Sequence, residues 1–381
     1  MFKKINKTNK IIIYIFLLFI ISRLCLSFIG VSTKMILGDY IDLGENYSNQ
    51  TVLNIWGTWD SAYYLNITEE GYSKETGKNQ MTTLQANYAF FPLYPALIRA
   101  LNLFIGNNYF SGLIISNLAF LISAFLLYKI VKYDHNEELA LKSVKYLFFF
   151  PVAFIFSGLF SESIFLMLFL ASYYFAIKND WLKASFSALL LGLTRPFGIL
   201  IFPILLLMYF INKSFNIKKI KADIFYIFIS PLGFIAFLFY IHHLTGNFLN
   251  YLQIQYQGWG HVLSNPFIIL ANGLFTKDIF QFINISIFLF FFSLSVFSFK
   301  SKKLKGVYFI IIFLFSFLPL FSGMPSINSL LRYLLPIFPL YIVLASLSTK
   351  HKIIDQALSM ILLLLQGFLM VFWVLKLHLI V

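Results

Sequence analysis

Lys183-Ala-Ser-Phe-Ser-Ala-Leu-Leu-Leu-Gly192-Leu-Thr-Arg195-Pro196-Phe-Gly198-Ile-Leu-Ile-Phe-Pro-Ile-Leu-Leu-Leu-Met-Tyr-Phe-Ile-Asn-Lys213 places 29 residues between two lysines, with a single arginine as the only charge among them. A bilayer core of about 30 Å needs roughly 20 apolar residues per helix, so a chain that crosses and returns needs roughly 40. This stretch therefore predicts two short helices that turn inside or barely beyond the outer leaflet. The turn belongs at Thr194 to Gly198, where proline and glycine interrupt the helix. Arg195 then lies at the outer membrane face or in a cavity opening onto it. The stretch from Tyr146 to Ile177 reads in the same way, with Ser157-Gly-Leu-Phe-Ser161-Glu162-Ser163 at its tip. An arginine and a glutamate at such depth are costly in lipid and are expected to line a wet cavity.

The rest of the chain agrees with a membrane setting. Of 381 residues, 60% are hydrophobic and only 12% are charged, which excludes an ordinary soluble domain. The net charge of +14 does not point to nucleic acid, because its sources are segregated. Six lysine clusters lie between apolar runs: Lys3 to Lys10, Lys129 to Lys145, Lys178 to Lys183, Lys213 to Lys221, Lys300 to Lys305 and Lys350 to Lys352. They mark the cytoplasmic side and place the N-terminus there. The loop from Val31 to Gln85 carries seven acids against three lysines and falls outside. Ile11 to Gly30 is read as a retained first span rather than a signal peptide, being long and carrying Arg23. Further spans are expected near Tyr109 to Lys129, Ile224 to His243, Ile279 to Phe299, Val307 to Phe321, Leu331 to Leu347 and Ile353 to Lys376. With the two short pairs, the expectation is an all-α integral membrane protein of about ten transmembrane helices. Residues 1–381 form one polytopic unit, with 31–108 as a first extracytoplasmic loop carrying interfacial helices. Whether residues 265–276 enter the membrane is left open. The single cysteine, Cys25, allows no internal disulfide.

In that loop, Trp56-Gly-Thr-Trp59-Asp60-Ser-Ala-Tyr63-Tyr64 sets a carboxylate among tryptophans and tyrosines at the membrane face. One reading makes Asp60 the cap of a helix from Ser61 to Glu70, which ends at Gly71. The other makes it a general base, its basicity raised by partial desolvation, with aromatic faces for a sugar beside it. His242, His243 and His261 do not form a metal pattern, and the Asp39 and Asp42 pair is better explained as a solvated acidic stretch. No nucleotide-binding glycine loop is present, and no metal or cofactor is implied.

Trp59-Asp60, Tyr63-Tyr64-Leu-Asn-Ile67, Gly71-Tyr72 and Ala89-Phe-Phe-Pro-Leu-Tyr-Pro95 follow one another in an order and spacing that resemble the signature of PIG-V-type mannosyltransferases, members of the GT-C class of membrane glycosyltransferases. The likeness continues through Phe150-Pro151, Ser161-Glu162-Ser163, Gly192-Leu-Thr-Arg195-Pro-Phe-Gly198, Gln257-Gly-Trp259 and Arg332-Tyr-Leu-Leu-Pro336, and so covers most of the chain from Trp56 to Leu347. It implies a GT-C-like fold and an inverting transfer of mannose from a polyprenyl phosphate donor to an acceptor hydroxyl at the extracytoplasmic face. The acceptor would be a glycolipid, a wall polymer or a protein. Asp60 becomes the presumed base. Arg332 and Arg195 are the candidates for the donor phosphate, since a guanidinium stabilises a leaving phosphate bidentately. The competing reading of Arg332 is an anchor snorkelling at the outer end of its span. Trp59, Tyr63, Glu162, Gln257 and Trp259 are candidates for sugar or acceptor binding, Glu162 alternatively pairing with Arg195. A flippase or transporter of lipid-linked sugars is the alternative from another class. It would not need a base on a large outer loop, and transporters often carry repeated halves, of which this chain shows none.

Overall fold

The computed structural model describes residues 7–38, 46–75, 85–298, 306–349 and 351–377. Asp39 and Asp42, the lysines at 3 and 4, the cluster from Lys300 to Lys305, and Lys350 lie outside them. Among the described residues all regular structure is helical, as the composition predicts for a chain that must satisfy its backbone inside lipid.

Among the described residues, five helices are long and apolar enough to cross a membrane: Asn9–Leu37, Asn108–Asp134, Ala222–Thr245, Ile279–Val296 and Lys352–Val374. Six more apolar helices have only 10–17 residues. Of the expected ten spans, five correspond among the described residues to helices of membrane length, and the others to helices that are shorter or broken.

In chain order the first helix, α1 (Lys7–Leu37), is followed by α2 (Thr51–Asn54), α3 (Ser61–Glu70) and α4 (Leu93–Ile105). α3 has the bounds expected from sequence and closes at Gly71, whose φ of 80° is the left-handed conformation that glycine adopts freely. α5 (Asn108–Asp134) is of membrane length, and α6 (Glu137–Phe149) follows from its C-terminal end. α7 (Glu162–Ile177), α8 (Trp181–Gly192) and α9 (Ile201–Asn212) include the predicted short pair. At about 1.5 Å per residue, the 12 residues each of α8 and α9 reach only about 18 Å, well short of the apolar thickness. α10 (Leu232–Thr245), α11 (Asn250–Trp259) and α12 (Pro266–Leu274) lead to α13 (Ile279–Ser298) and α14 (Gly306–Phe317). The stretch expected as one span from Leu331 to Leu347 is instead broken into α15 (Leu330–Leu334) and α16 (Pro339–Ser348), because Pro336 and Pro339 lack the N–H a continuous helix needs. α17 (Lys352–Val374) closes the chain against α1 and α6.

The centre of the bundle is α5 packed on α6 and α7, with α8 and α16 outside them. α5 buries Ser111, Gly112, Ser116, Ala119, Ser123 and Ala124 on the face it turns inward. Small side chains allow backbones to approach closely where lipid supplies no hydrophobic drive between helices. Leu159 fills the space over Gly112, where a Cβ would come within 2.6 Å of its methyl group.

Several contacts fix the segment between α1 and α5 to this bundle. Leu159 N–H donates to the Trp56 carbonyl at 3.1 Å, and Leu93 N–H to the Leu193 carbonyl at 3.0 Å. Trp373 Nε1 of α17 donates to the Ile55 carbonyl at 2.9 Å. Ser61 Oγ donates to the Leu159 carbonyl at 3.2 Å. Two of them, both made by the Leu159 backbone ahead of α7, reach the loop around Asp60.

Candidate active site

Asp60 precedes α3, Glu162 opens α7, Arg195 stands between α8 and the 3-10 turn Pro196–Leu200, and Arg332 lies in α15. Each sits where a helix starts or breaks, where backbone groups are free and helices cannot cover the side chain. Packing brings the four together. Arg332 Nη2 meets Asp60 Oδ2 at 2.6 Å. Arg332 Nε donates to Glu162 Oε1, and Arg195 Nη1 pairs with the same oxygen. The result is a chain of alternating charge, Asp60–Arg332–Glu162–Arg195, balanced among its four members.

Burial is uneven along it. The Glu162 and Arg332 side chains are 2% and 6% exposed, whereas Asp60 and Arg195 at the two ends are 16% and 17% exposed. The snorkelling reading of Arg332 is thereby overturned: its guanidinium turns inward, paired twice and resting over the Phe160 ring at 4.7 Å. Asp60 is likewise no ordinary cap, since its side chain makes no capping hydrogen bond. Of the two readings of Glu162, the pairing with Arg195 holds, and Arg332 shares it. Glu162 keeps one free capacity, because its Oε2 is buried without a hydrogen-bond partner.

Glu162, Arg195 and Arg332 form the charged end of a narrow, partly open cavity. Phe165, Phe197, Phe315 and Pro319 line its apolar part. Phe197 and Tyr333 meet edge to face at 5.7 Å across the arginines' turn. The geometry suits an amphiphile whose anionic head meets two guanidinium groups and whose tail lies among aromatic rings. Gly198 makes the turn possible, for a Cβ there would collide with the Leu191 carbonyl.

Beside the ion chain lies an aromatic platform. Tyr63 stacks on Phe90 at 4.5 Å, and Trp259 tilts against both at 5.8 Å. Tyr63 Oη donates to Gln85 Oε1, whose amide donates in turn to the Gly258 carbonyl at 3.0 Å. Tyr64 links platform to ion chain: its ring packs edge-on against Phe90, and its hydroxyl shares a 2.8 Å hydrogen bond with Ser161. Burial, and then the Glu162 charge, push that hydroxyl well above the usual phenol range, so it stays protonated.

The structure brings Asp60, Glu162, Arg195 and Arg332 into one cluster, with Tyr63 and Trp259 in the aromatic platform beside it, so that Glu162 parts from the other candidates for sugar or acceptor binding. Trp59 packs partly buried against the main core, with a φ of 48° that few side chains adopt. Gln257 is exposed on α11 and does not line the cavity, while its neighbour Trp259 turns inward. Reasoning missed Tyr64, Gln85, Phe90 and Phe160. Tyr64 had a signal, lying one helical turn after Asp60 and so on the same face of α3. Phe160 had none beyond its place next to Ser161. Among the described residues no group of three or more His, Cys, Asp or Glu side chains comes together.

No protein-family model matches this chain, and no curated protein matches it. Several solved structures resemble it, among them the following two. The crystal structure of ArnT from Cupriavidus metallidurans bound to undecaprenyl phosphate superposes with a TM-score of 0.51 at 12% identity, over 91% of this chain and 62% of that one. The Archaeoglobus fulgidus oligosaccharyltransferase, in complex with zinc and sulfate, gives 0.47 at 11% identity, over 94% of this chain and 53% of that one. The chain therefore spans about three fifths of the length of ArnT. The likeness to ArnT is one of fold, and it bears out the GT-C-like membrane architecture.

Proposed function

We propose that this chain is an inverting glycosyltransferase, a mannosyltransferase of the PIG-V type, that moves a sugar from a polyprenyl phosphate to an acceptor hydroxyl at the extracytoplasmic face. The observation that carries the reading is the buried Asp60–Arg332–Glu162–Arg195 chain at the mouth of an apolar, aromatic cavity. Support comes also from the fold, which resembles that of a protein solved with undecaprenyl phosphate.

The chemistry needs one displacement. The acceptor oxygen bonds to the anomeric carbon as the bond from that carbon to the donor phosphate breaks on the opposite face, and Asp60 takes the acceptor proton. The phosphate departs with a second negative charge. It needs electrostatic stabilisation more than protonation, and Arg195 and Arg332 supply it. The pairing of Asp60 with Arg332 couples the two events. Once Asp60 is protonated it no longer holds Arg332, whose guanidinium is free to turn fully to the phosphate as that charge develops. Glu162 keeps both arginines fixed while this happens, and its open Oε2 is placed to accept a sugar hydroxyl. The Tyr63, Phe90 and Trp259 rings offer faces to the C–H side of a hexose.

The reading is tested by giving the purified protein, in lipid, polyprenyl phosphates that carry mannose, glucose or arabinose, with a mixed glycolipid acceptor pool. Transfer from the mannosyl donor, with the product anomer opposite to the donor's, is the expected result. Transfer from another sugar alone would overturn the mannose assignment, and no turnover with any of these donors would overturn the class.

A further inference from the structure

Arg23 is the central residue of the membrane-length helix Asn9–Leu37. Either end of that helix lies about 21 Å away, farther than an arginine can snorkel. The side chain turns inward instead. Arg23 is 8% exposed, while Ile21, Leu24 and Phe28 on the same helix are 57%, 65% and 74% exposed.

Its partners are all neutral. Nη1 donates to Ser157 Oγ at 2.6 Å and to the Ala153 carbonyl at 3.4 Å, and Nε donates to Ser22 Oγ at 3.3 Å. Phe19, Trp56 and Phe120 surround the guanidinium, with ring centres 5.9, 6.0 and 5.1 Å from Cζ. Nη2 is buried with no hydrogen-bond partner, and among the described residues no carboxylate pairs with this charge. A cation at membrane depth without a counter-ion is costly. Replacing a buried ion by an apolar side chain of similar volume is often neutral or stabilising. Stability therefore does not account for Arg23, and its neighbours suggest what does.

The guanidinium sits under a crossing of two segments. Ser157, which accepts from Arg23, donates to Asn117 Oδ1 at 2.7 Å, and Asn117 Nδ2 donates to the Leu113 carbonyl at 2.7 Å. One relay thus joins α1, the 3-10 turn Ala153–Ser157 and α5. Two residues beyond Ser157, Leu159 N–H donates to the Trp56 carbonyl at 3.1 Å. Gly158 permits that approach, for a Cβ there would come to 3.2 Å from the same carbonyl. Arg23 therefore meets one segment at Ser157, five residues before Glu162, and the other at the Trp56 ring, four residues before Asp60. Both carboxylates bind Arg332. We infer that Arg23 is a positioning residue: it fixes this crossing and thereby the separation of Asp60 and Glu162 about Arg332. What that position serves rests on the proposed transferase reading.

The test compares full-length wild type, Arg23→Met and Arg23→Lys in lipid. Amide exchange at Leu159, followed by mass spectrometry, reads the crossing without any substrate. Thermal unfolding reads the fold, and turnover and KM with polyprenyl phosphate mannose read the site. In Arg23→Met, Leu159 exchange about tenfold or more faster, at an unfolding temperature no lower than the wild type's, is the expected result. Turnover is expected to fall about tenfold or more while the donor KM stays within about threefold, because small misplacements of reacting groups cost rate before binding. Arg23→Lys keeps a donor for Ser157 and is expected to recover part of both losses. Unchanged Leu159 exchange in Arg23→Met, or turnover equal to the wild type's, overturns the inference. So does a loss of turnover that follows a fall in unfolding temperature and is no smaller in Arg23→Lys, the behaviour of a plain anchor. Where Arg23→Met does not fold, Ser157→Ala breaks the same bond from the other side and leaves α1 intact, with the same outcomes. A wild type that turns over no donor sinks the transferase reading, and the Leu159 exchange then still decides whether Arg23 holds the crossing.

Discussion

Arg332 answers to two carboxylates and Arg195 to one, and the difference sets what each substitution does. Arg332→Ala leaves Asp60 without its partner and Glu162 with a single cation, deep in the protein. Breaking a buried pair from one side costs about 3–5 kcal/mol, because the remaining charge stays desolvated. Arg195 is more exposed, and Glu162 keeps Arg332 when it is lost. Thermal unfolding in detergent is therefore expected to show Arg332→Ala as much the more destabilised of the two. Both variants are expected to bind polyprenyl phosphate less tightly. Equal stability, or unchanged donor binding in both, would leave these arginines as structural anchors. The charged residues of this site were legible in sequence because acids and arginines at membrane depth are expensive and must find each other. The aromatic platform was not, because Tyr63, Phe90 and Trp259 come from three separate segments and no local pattern joins them.

At the scale of the elements, the site exists because helices stop early. α8 and α9 end short of a full crossing, and the turn between them holds Arg195. Gly198 permits that turn, so Gly198→Ala must push the Leu191 carbonyl aside. Overpacking of this kind typically costs about 1–3 kcal/mol. It is expected to lower the unfolding temperature and also weaken donor binding, although Gly198 is not among the residues lining the cavity at the arginines. Donor affinity unchanged at reduced stability would separate the turn from the site. This pair could be read from the sequence because 29 residues between lysines cannot hold two full spans. α3 could be read from its closing glycine. The break between α15 and α16 was hidden, since Leu331 to Leu347 has the length and apolar character of a span, and its two prolines had to be weighed against that.

For the whole molecule, the lysine clusters predict that Asp60 faces out and the α5–α6 turn faces in. In a Cys25→Ser background, a membrane-impermeant thiol reagent should label Glu75→Cys in intact cells and Glu138→Cys only after permeabilisation. The reverse pattern would invert the orientation and put the site on the wrong side for a lipid-linked donor. The hydropathy of the chain made a membrane fold legible from the start, whereas the ion chain needed four distant breaks to be folded onto one another. The central claim, that Asp60 is the base of a glycosyl transfer supported by Arg332, is tested most directly by one comparison. Purified wild type and Asp60→Asn, in lipid, are given polyprenyl phosphate mannose, with donor binding and released polyprenyl phosphate both measured. Donor binding kept in the variant with turnover lower by roughly 10²-fold or more is the predicted result. Turnover in Asp60→Asn equal to that of the wild type would contradict it.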